Sequence, residues 1–227
     1  MTASKSEPVQ YRILPAELDD CPTIAFIENV AFDDLVKEQS ESNLFRLLFG
    51  PSNEERQAFW AGNFADKLNN DPTTSILKVV IRDPDTPYQE KIIACAVWHF
   101  HVEPFKPDDW KDIEWPVFAN AAACNEFIGG LSMVEKKHMH GERYGFLSVL
   151  ATLPEYRGQG IASALISHGI AEGVKSGLKH FWLNGSLDGH AIYERHGFRN
   201  IEPTELNFAK YGGVGKSVVV GMRKTIE

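Results

Sequence analysis

The stretch VLATLPEYRGQGIASALI, residues 149–166, decides the predicted fold. It joins a strand predicted over 144–152 to a helix predicted over 161–175, and Pro154 ends the strand. The first turn of a helix has unpaired N–H groups and the positive end of the helix dipole. Because glycine lets an anion approach this backbone, Gly158 and Gly160 predict a cradle for a phosphate or pyrophosphate. Arg157 can add a charged contact there.

Two other phosphate loops do not fit this stretch. A Walker loop needs Gly-Lys-Ser/Thr after its second glycine, where this chain has Ile161-Ala162. A dinucleotide fingerprint needs a third glycine where Ser163 stands, and it usually follows an early strand. On the loop alone, a turn between strand and helix that binds no ligand remains the alternative.

A second block, SLDGHAIYERHGF at residues 186–198, follows the loop. The two blocks, in this order, resemble the GNAT superfamily of acyl-CoA-dependent N-acetyltransferases over about residues 148–198. In the first block, Arg157-x-x-Gly160-x-Ala162 matches the family motif Arg/Gln-x-x-Gly-x-Gly/Ala. The residues that match the second motif are Ser186, Gly189, Tyr193, Glu194, Gly197 and Phe198.

The resemblance implies an α/β fold, with a central mixed, mostly antiparallel sheet that is flanked by helices and has splayed central strands. It also implies acetyl-CoA as co-substrate, whose pantetheine arm enters the splay and pairs with exposed backbone. The matching strand positions are Val149, Leu150, Ala151 and Thr152. An N–H in this stretch, expected at Leu150, would stabilise the oxyanion of the transferring acetyl group. The implied pyrophosphate contacts are Arg157, Gly158, Gln159, Gly160, Ile161 and Ala162.

Three of the implied roles have a structural alternative. Tyr193 matches the tyrosine whose hydroxyl protonates the departing thiolate, and it is otherwise a core aromatic. Ser186 is either a cofactor contact or the cap of the following helix. Arg157 either contacts the cofactor, or it supports the loop or is exposed to solvent.

The resemblance implies direct transfer in a ternary complex, so an amine must lose a proton to a base or to water. The sequence does not choose among the candidate bases Glu28, His99, His101, Glu142 and Tyr144. The cysteines show no nucleophile context. The string His138-x-His140-x-Glu142 is more typical of a solvated loop than of a metal site, and no metal is expected.

In such folds the acceptor pocket lies between the first helices and the strand pair. That position indicates Phe32, Trp98 and Phe100 as substrate contacts, with Asp33 nearby, and the aromatic side chains suggest an acceptor with an apolar body. Core packing explains the same aromatic residues equally well. Residues 101–143 are predicted to be an insertion, either structural or a lid that shapes the substrate site.

The remaining elements alternate between strand and helix. Residues 1–10 are predicted to be a flexible N-terminus and 11–227 a single N-acetyltransferase domain. The predicted strands outside the central unit cover 11–14, 75–82, 92–100, 180–183, 198–201 and 217–222. The predicted helices cover 22–31, 44–49, 54–68, about 117–133 and 189–195.

Composition excludes several classes of protein. The chain has 227 residues, 43% of them hydrophobic, so it has enough material for a core. Its net charge of -8 argues against a nucleic-acid partner. No apolar run is long enough for a membrane span, the N-terminus is unlike a secretory signal, and three cysteines fit a reducing compartment. A cytoplasmic monomer or homodimer is therefore expected.

Together these features predict an enzyme that transfers acetyl from acetyl-CoA to a primary amine of a small molecule. Two alternatives remain. One is a protein acetyltransferase acting on lysine or N-terminal amines, which needs an open groove rather than a lidded pocket. The other is an acyl-CoA-binding sensor without activity, which the presence of both Tyr193 and the intact loop argues against.

Overall fold

A computed structural model describes residues 10–33, 44–83, 89–186 and 189–227. Residues 1–9, part of the predicted flexible N-terminus, and residues 84–88, between the predicted strands 75–82 and 92–100, lie outside these ranges. The strands are β1 (Arg12–Pro15), β2 (Thr74–Arg82), β3 (Glu90–His101), β4 (Tyr144–Thr152), β5 (His180–Ser186), β6 (Arg199–Asn207) and β7 (Lys216–Thr225). The helices are α1 (Cys21–Asp33), α2 (Leu44–Phe49), α3 (Glu54–Asn70), α4 (Ala121–Met139), α5 (Ile161–Lys175) and α6 (His190–Arg195), besides short 3-10 turns.

The strands form one mixed sheet in the order β1-β2-β3-β4-β5-β7-β6. Neighbouring strands are antiparallel, except that β4 and β5 run parallel on either side of α5 in the chain. A parallel neighbour needs a crossover, and the helix after the glycine loop supplies it. The sheet and its flanking helices confirm the predicted fold class.

The two faces of the sheet are buried by different helices. On one face α5 packs Leu165 and Ile166 into a cluster with Trp98. This contact is close, because a Cβ at Gly169 of α5 would lie 2.1 Å from the Trp98 ring. On the other face α1 and α3 bury Ile24, Ile27 and Phe64 against β2, β3 and β4.

Helix α4 lies inside the stretch 101–143, which the sequence shows as its least regular part. The helix begins at the cap Asn120, whose side chain accepts the N–H of Ala123, and it continues through Gly129-Gly130. These glycines weaken a helix in isolation. Here they allow close packing, since a Cβ at Gly129 would lie 2.7 Å from Trp110 and one at Gly130 would lie 3.0 Å from Thr204. Tertiary contact therefore explains why the helix tolerates both glycines. The helix begins four residues later and ends six residues later than the predicted stretch of about 117–133.

Helix α4 also contacts β6 and β7 at one edge of the sheet, whereas α1 contacts the central strands β3 and β4. The space between these helices lies over the centre of the sheet, where β4 and β5 are neighbours. Among the described residues, no helix is both long and apolar enough to cross a bilayer.

Candidate active site

Strands β4 and β5 pair only along their first halves. Tyr144–Leu147 are in register with His180–Leu183, and the ladder ends there in the part of the chain that the structure describes. At the same level the pairing of β4 with β3 shifts, because Val97 opposes Val149 while Trp98 opposes Leu147. Ser148 is thus the extra residue of a bulge, which increases local twist. The strands separate beyond it, as the resemblance implies.

The glycine loop closes the wide end of this separation. Gly158 and Gly160 have φ angles of 75° and 81°, a region that favours glycine, and Gly160 caps α5 without a side chain. A Cβ at either position would enter open space, so the backbone faces an unobstructed volume. The Arg157 guanidinium donates to the backbone carbonyls of Thr152 at 3.3 Å and Ala31 at 2.9 Å. Both bonds favour loop support as part of its role.

Two cavities meet at the separated strands. The first, here the loop cavity, has a volume of about 500 Å³ and follows the glycine loop toward α6. The residues around it include Ala31, Leu150, Ala151, Thr152, Arg157, Gly158, Gly160, Ile161, Ala162, Ser163, Gly189 and Ile192. Val149 lines the second cavity, and Gln159 lines neither.

The second cavity, here the aromatic cavity, has a volume of about 640 Å³ and lies between α1, α3, α4 and the sheet. Its aromatic side chains are Phe32, Phe45, Phe49, Trp60, Phe64, Phe127, Phe146 and Tyr193. The residues that line both cavities are Phe32, Leu150, Ser186 and Tyr193.

Tyr193 lies on α6 with its ring half-buried between the two cavities. It packs edge-on against Phe198 at 6.3 Å, and a Cβ at Gly189 would lie 2.7 Å from its ring. Burial raises the pKa of Tyr193 to about 12. The phenol therefore carries a proton at neutral pH. Ser186 lines both cavities, and its hydroxyl accepts the N–H of Gly189 at 3.3 Å. Gly189 is itself the N-cap of α6, so Ser186 supports the turn before the helix and is not its cap.

Glu28 on α1 faces the aromatic cavity and is 3% exposed. One of its carboxylate oxygens has no hydrogen-bond partner among the described residues. Burial raises the pKa of Glu28 to about 7, against the opposing charges of Arg56 and Lys67. Of the five candidate bases, Glu28 is the one that lines a cavity directly.

The other candidate bases are engaged elsewhere. His101 lies against Phe105 and Tyr144, and Glu142 pairs with Arg223 at 3.3 Å and with His180. Tyr144 is buried and donates to Glu135 at 2.6 Å. His99 is buried behind Ser148, which lines the aromatic cavity.

Sequence reasoning missed Glu135, a second carboxylate in the aromatic cavity. Burial raises its pKa to about 7, against the bond from Tyr144. It stands in the charged run Glu-Lys-Lys-His at the end of α4, a pattern typical of a solvated helix end, so no sequence signal distinguishes it.

The predicted contacts Trp98 and Phe100 require a correction. Both side chains point to the α5 face of the sheet, where Trp98 is fully buried and Phe100 stacks on it at 5.9 Å. Neither lines either cavity. Phe32 lies between the cavities and stacks on Phe45 at 4.2 Å, whereas Asp33 bonds Arg56 at 3.1 Å.

The remaining predicted features have structural partners. His138 accepts or donates a bond at 2.8 Å with Glu202, and among the described residues no group of three His, Cys, Asp or Glu side chains is arranged to hold a metal. The three cysteines are buried, and burial raises the pKa of each thiol, to about 12 for Cys124.

Comparisons with known proteins agree with this geometry. Residues 86–198 match the model of the acetyltransferase (GNAT) family. N-alpha-acetyltransferase 30 of Schizosaccharomyces pombe is 34% identical over 89 residues. That match covers 37% of this chain and 59% of the curated relative, so the chain spans less than two thirds of the relative's length.

Solved structures share the fold at low identity. A mosquito arylalkylamine N-acetyltransferase like 5b aligns with a TM-score of 0.62 at 14% identity, over 96% of this chain and all of that one. A structure described as histone acetyltransferase HPA2 and related acetyltransferase, from Corynebacterium glutamicum, aligns with a TM-score of 0.54 at 20% identity, over 96% of this chain and 98% of that one. Given both sequence motifs, the separated strands and the family match, this chain belongs to the GNAT family of acetyltransferases.

Proposed function

We propose that this chain is an acetyl-CoA-dependent N-acetyltransferase that transfers acetyl directly to the primary amine of a small molecule. The observation that carries the proposal is that two cavities of different character meet at Leu150, Ser186 and Tyr193. One cavity suits an extended anionic cofactor and the other an apolar amine. Substrates that enter from the two sides would bring their reactive atoms together at this junction.

On the cofactor side, acetyl-CoA lies along the loop cavity. The backbone N–H groups at the start of α5 bind its pyrophosphate, with Gly158 and Gly160 leaving them accessible. The pantetheine amides pair with the backbone of 149–152, which the separation from β5 leaves accessible. The N–H of Leu150 polarises the acetyl carbonyl and stabilises the negative charge that develops on its oxygen.

On the acceptor side, Glu28 is the proton acceptor. Its position in the aromatic cavity and its pKa of about 7 suit a group that must bind a proton at neutral pH and release it again. The amine nitrogen forms a bond to the acetyl carbon as the bond from carbon to sulfur breaks. The amine proton passes to Glu28.

Tyr193 donates its proton to the departing thiolate of coenzyme A. With a pKa of about 12 the phenol is protonated at neutral pH, so it carries the proton that the thiolate needs. The proton that Glu28 releases then restores the phenol, and the net products are the acetylated amine and the free thiol of coenzyme A. Tyr193 lines both cavities, and this position supports its assignment to the junction where the thiolate would form. No covalent acyl-enzyme is part of this scheme.

The acceptor we favour has an apolar, ring-sized body. The aromatic cavity has stacked and edge-on ring pairs along its walls, including Phe32 on Phe45 and Phe49 on Trp60. Such walls suit a small amine with an apolar or aromatic body. The curated relative's name supports a second candidate, acetylation of protein N-termini, for which the first residues of a peptide would enter the same cavity.

The test is a thiol-release assay with acetyl-CoA, run over a panel of aliphatic amines, arylalkylamines and N-terminal peptides. We expect the highest kcat/KM with an arylalkylamine. Tyr193→Phe should lower kcat by about 100-fold and leave the calorimetric affinity for acetyl-CoA unchanged, since general acid catalysis is worth about 10²–10⁴ in rate.

Other outcomes select other functions. Turnover of peptides alone would favour the N-terminal acetyltransferase. Binding of acetyl-CoA without turnover of any acceptor would favour a sensor. Absence of acetyl-CoA binding would refute the assignment of the loop.

A further inference from the structure

Three polar side chains form a hydrogen-bonded chain in the wall of the aromatic cavity. Ser148 lines the cavity at the β4 bulge, and its Oγ lies 3.1 Å from Nε2 of His99 on β3. Nδ1 of His99 lies 3.2 Å from Oδ2 of Asp71, which follows α3. Through the buried His99 ring, these hydrogen bonds link Ser148 in the cavity wall to the Asp71 carboxylate near the surface. The reaction scheme above uses none of the three.

The hydrogen bonds of Asp71 determine which atoms of His99 and Ser148 carry protons. Asp71 accepts the hydroxyl protons of Thr73 and Thr74 at 2.7 Å each. These bonds outweigh desolvation and hold the pKa of Asp71 well below its usual range. The carboxylate can therefore only accept. The Thr74 hydroxyl, which lies 3.0 Å from Nδ1 of His99, directs its proton to Asp71, so the Nδ1 atom carries the proton that faces these two oxygens.

The other ring nitrogen of His99 is then an acceptor. Burial and the charge of Lys67 lower the pKa of His99 to about 4, against the opposing effect of Asp71, so the ring is neutral at pH 7. Its Nε2 atom has a free lone pair, and the Ser148 hydroxyl donates to it at 3.1 Å. The other acceptor near this hydroxyl, the Val97 carbonyl, is farther away at 3.3 Å.

The Ser148 oxygen is consequently oriented as an acceptor. With its proton directed at His99, its lone pairs are available to a donor in the aromatic cavity. Ser148 is two residues before Leu150 on the same strand, a spacing of about 7 Å along the backbone. This distance brings a small amine at the cavity junction within reach of both residues.

We propose that Ser148 binds the attacking amine by accepting one of its N–H bonds, and that His99, held by Asp71, is the positioning residue that orients the Ser148 hydroxyl. The inference rests on the proposed transferase function. A neutral primary amine has two N–H bonds and one lone pair. One N–H points at Ser148, the proton of the other passes to Glu28, and the lone pair attacks the acetyl carbon.

This arrangement makes the site selective for primary amines. A secondary amine has one N–H when neutral, which cannot serve both Ser148 and Glu28. The preference for primary amines is measured as the ratio of kcat/KM for a primary arylalkylamine to kcat/KM for its N-methyl analogue. We expect this ratio to be about tenfold larger in the native protein than in Ser148→Ala, since one hydrogen bond is worth about that factor.

The experiment measures kcat and KM for both amines and for acetyl-CoA in four variants. These are Ser148→Ala, Ser148→Thr, which keeps the hydroxyl, His99→Gln, and the double variant Ser148→Ala/His99→Gln. Ser132→Ala is the matched control, because Ser132 lines the same cavity from α4. A purely structural role for Ser148 would leave the preference for primary amines intact.

We expect Ser148→Ala to lower kcat/KM for the primary amine by about tenfold, with the acetyl-CoA KM unchanged and partial recovery in Ser148→Thr. The double variant should be no slower than Ser148→Ala, because His99 acts through Ser148. Fully multiplicative losses, an unchanged amine preference, or an acetyl group found on Ser148 by mass spectrometry would each overturn the inference. If the native protein transfers acetyl to no amine, it is the proposed function that fails.

Discussion

The two cavities of this protein are built in different ways. The loop cavity is formed largely by one continuous segment, from Leu150 to Ser163, completed by α1 and α6. The aromatic cavity takes its walls from five helices and three strands that are distant in the chain. The loop cavity presents mainly backbone groups from residues that are adjacent in the sequence. The aromatic cavity presents side chains that folding brings together from distant elements.

The largest expected effect tests the backbone character of the loop cavity. Gly160→Val should raise the KM for acetyl-CoA by about 100-fold or more, because a branched side chain at φ 81° distorts the helix start and occupies the open space before it. Steady-state kinetics at saturating amine measure this change.

Gly212→Val is the matched control for backbone strain. Gly212 has φ 79°, is exposed, has open space at its Cβ position and lines neither cavity. Both variants should lose similar thermal stability, but only Gly160→Val should lose acetyl-CoA affinity. An equal loss of affinity in both would mean that strain, rather than contact with the cofactor, explains the effect.

The next effect tests the side-chain character of the aromatic cavity. The rate should rise with pH through about 7, because Glu28 accepts the amine proton only when it is ionised. Glu28→Gln should lower kcat/KM for the amine by about 100-fold at pH 7.5 and remove this rise. Retention of the same pH profile in the variant would assign the proton to another group or to water.

The raised pKa of Glu28 also predicts how the stability of the protein depends on pH. The pKa of Glu28 in the folded protein, about 7, exceeds its ordinary value of 4.5. Its stabilising contribution is therefore complete below about 4.5 and is lost as the pH rises to about 7. From pH 5 to pH 8, the Tm of the native protein should fall more than that of Glu28→Gln. Parallel curves would show that the carboxyl pKa is not raised.

The difference between the cavities also explains what the sequence could predict. The glycine loop and the crossover helix follow from residues 144–175, where each element adjoins the next, whereas the strand separation was implied by the resemblance to the GNAT superfamily. Glu28 was one of five candidate bases, and its position in the wall of the aromatic cavity, which depends on how α1 and α3 pack on the sheet, distinguishes it from the other four. Glu135 and Ser148 had no local signal, since their neighbours in the cavity come from other elements.

The prediction that Trp98 and Phe100 contact the substrate was wrong for a specific physical reason. The residues of β3 from Ile93 to Trp98 are all buried, because helices cover both faces of the sheet. A strand buried on both faces shows no alternation of apolar and polar residues. The sequence therefore identifies such a strand but does not show which face an aromatic side chain joins.

The smallest expected effect compares one aromatic residue from each environment. Phe32→Leu should raise the KM for an arylalkylamine about fivefold, because the wall loses the ring that stacks on Phe45 at 4.2 Å, and an aromatic contact contributes about 0.5–1.5 kcal/mol beyond its area. Phe100→Leu removes a ring of the same size from the α5 face, so it should lower Tm and leave both KM values unchanged. If Phe100→Leu instead raised the amine KM as much as Phe32→Leu does, the acceptor would have to reach the opposite side of the sheet. To reach Phe100, the acceptor would have to pass to the face of β3 that packs against α5, and this would break the close contact between Trp98 and Gly169.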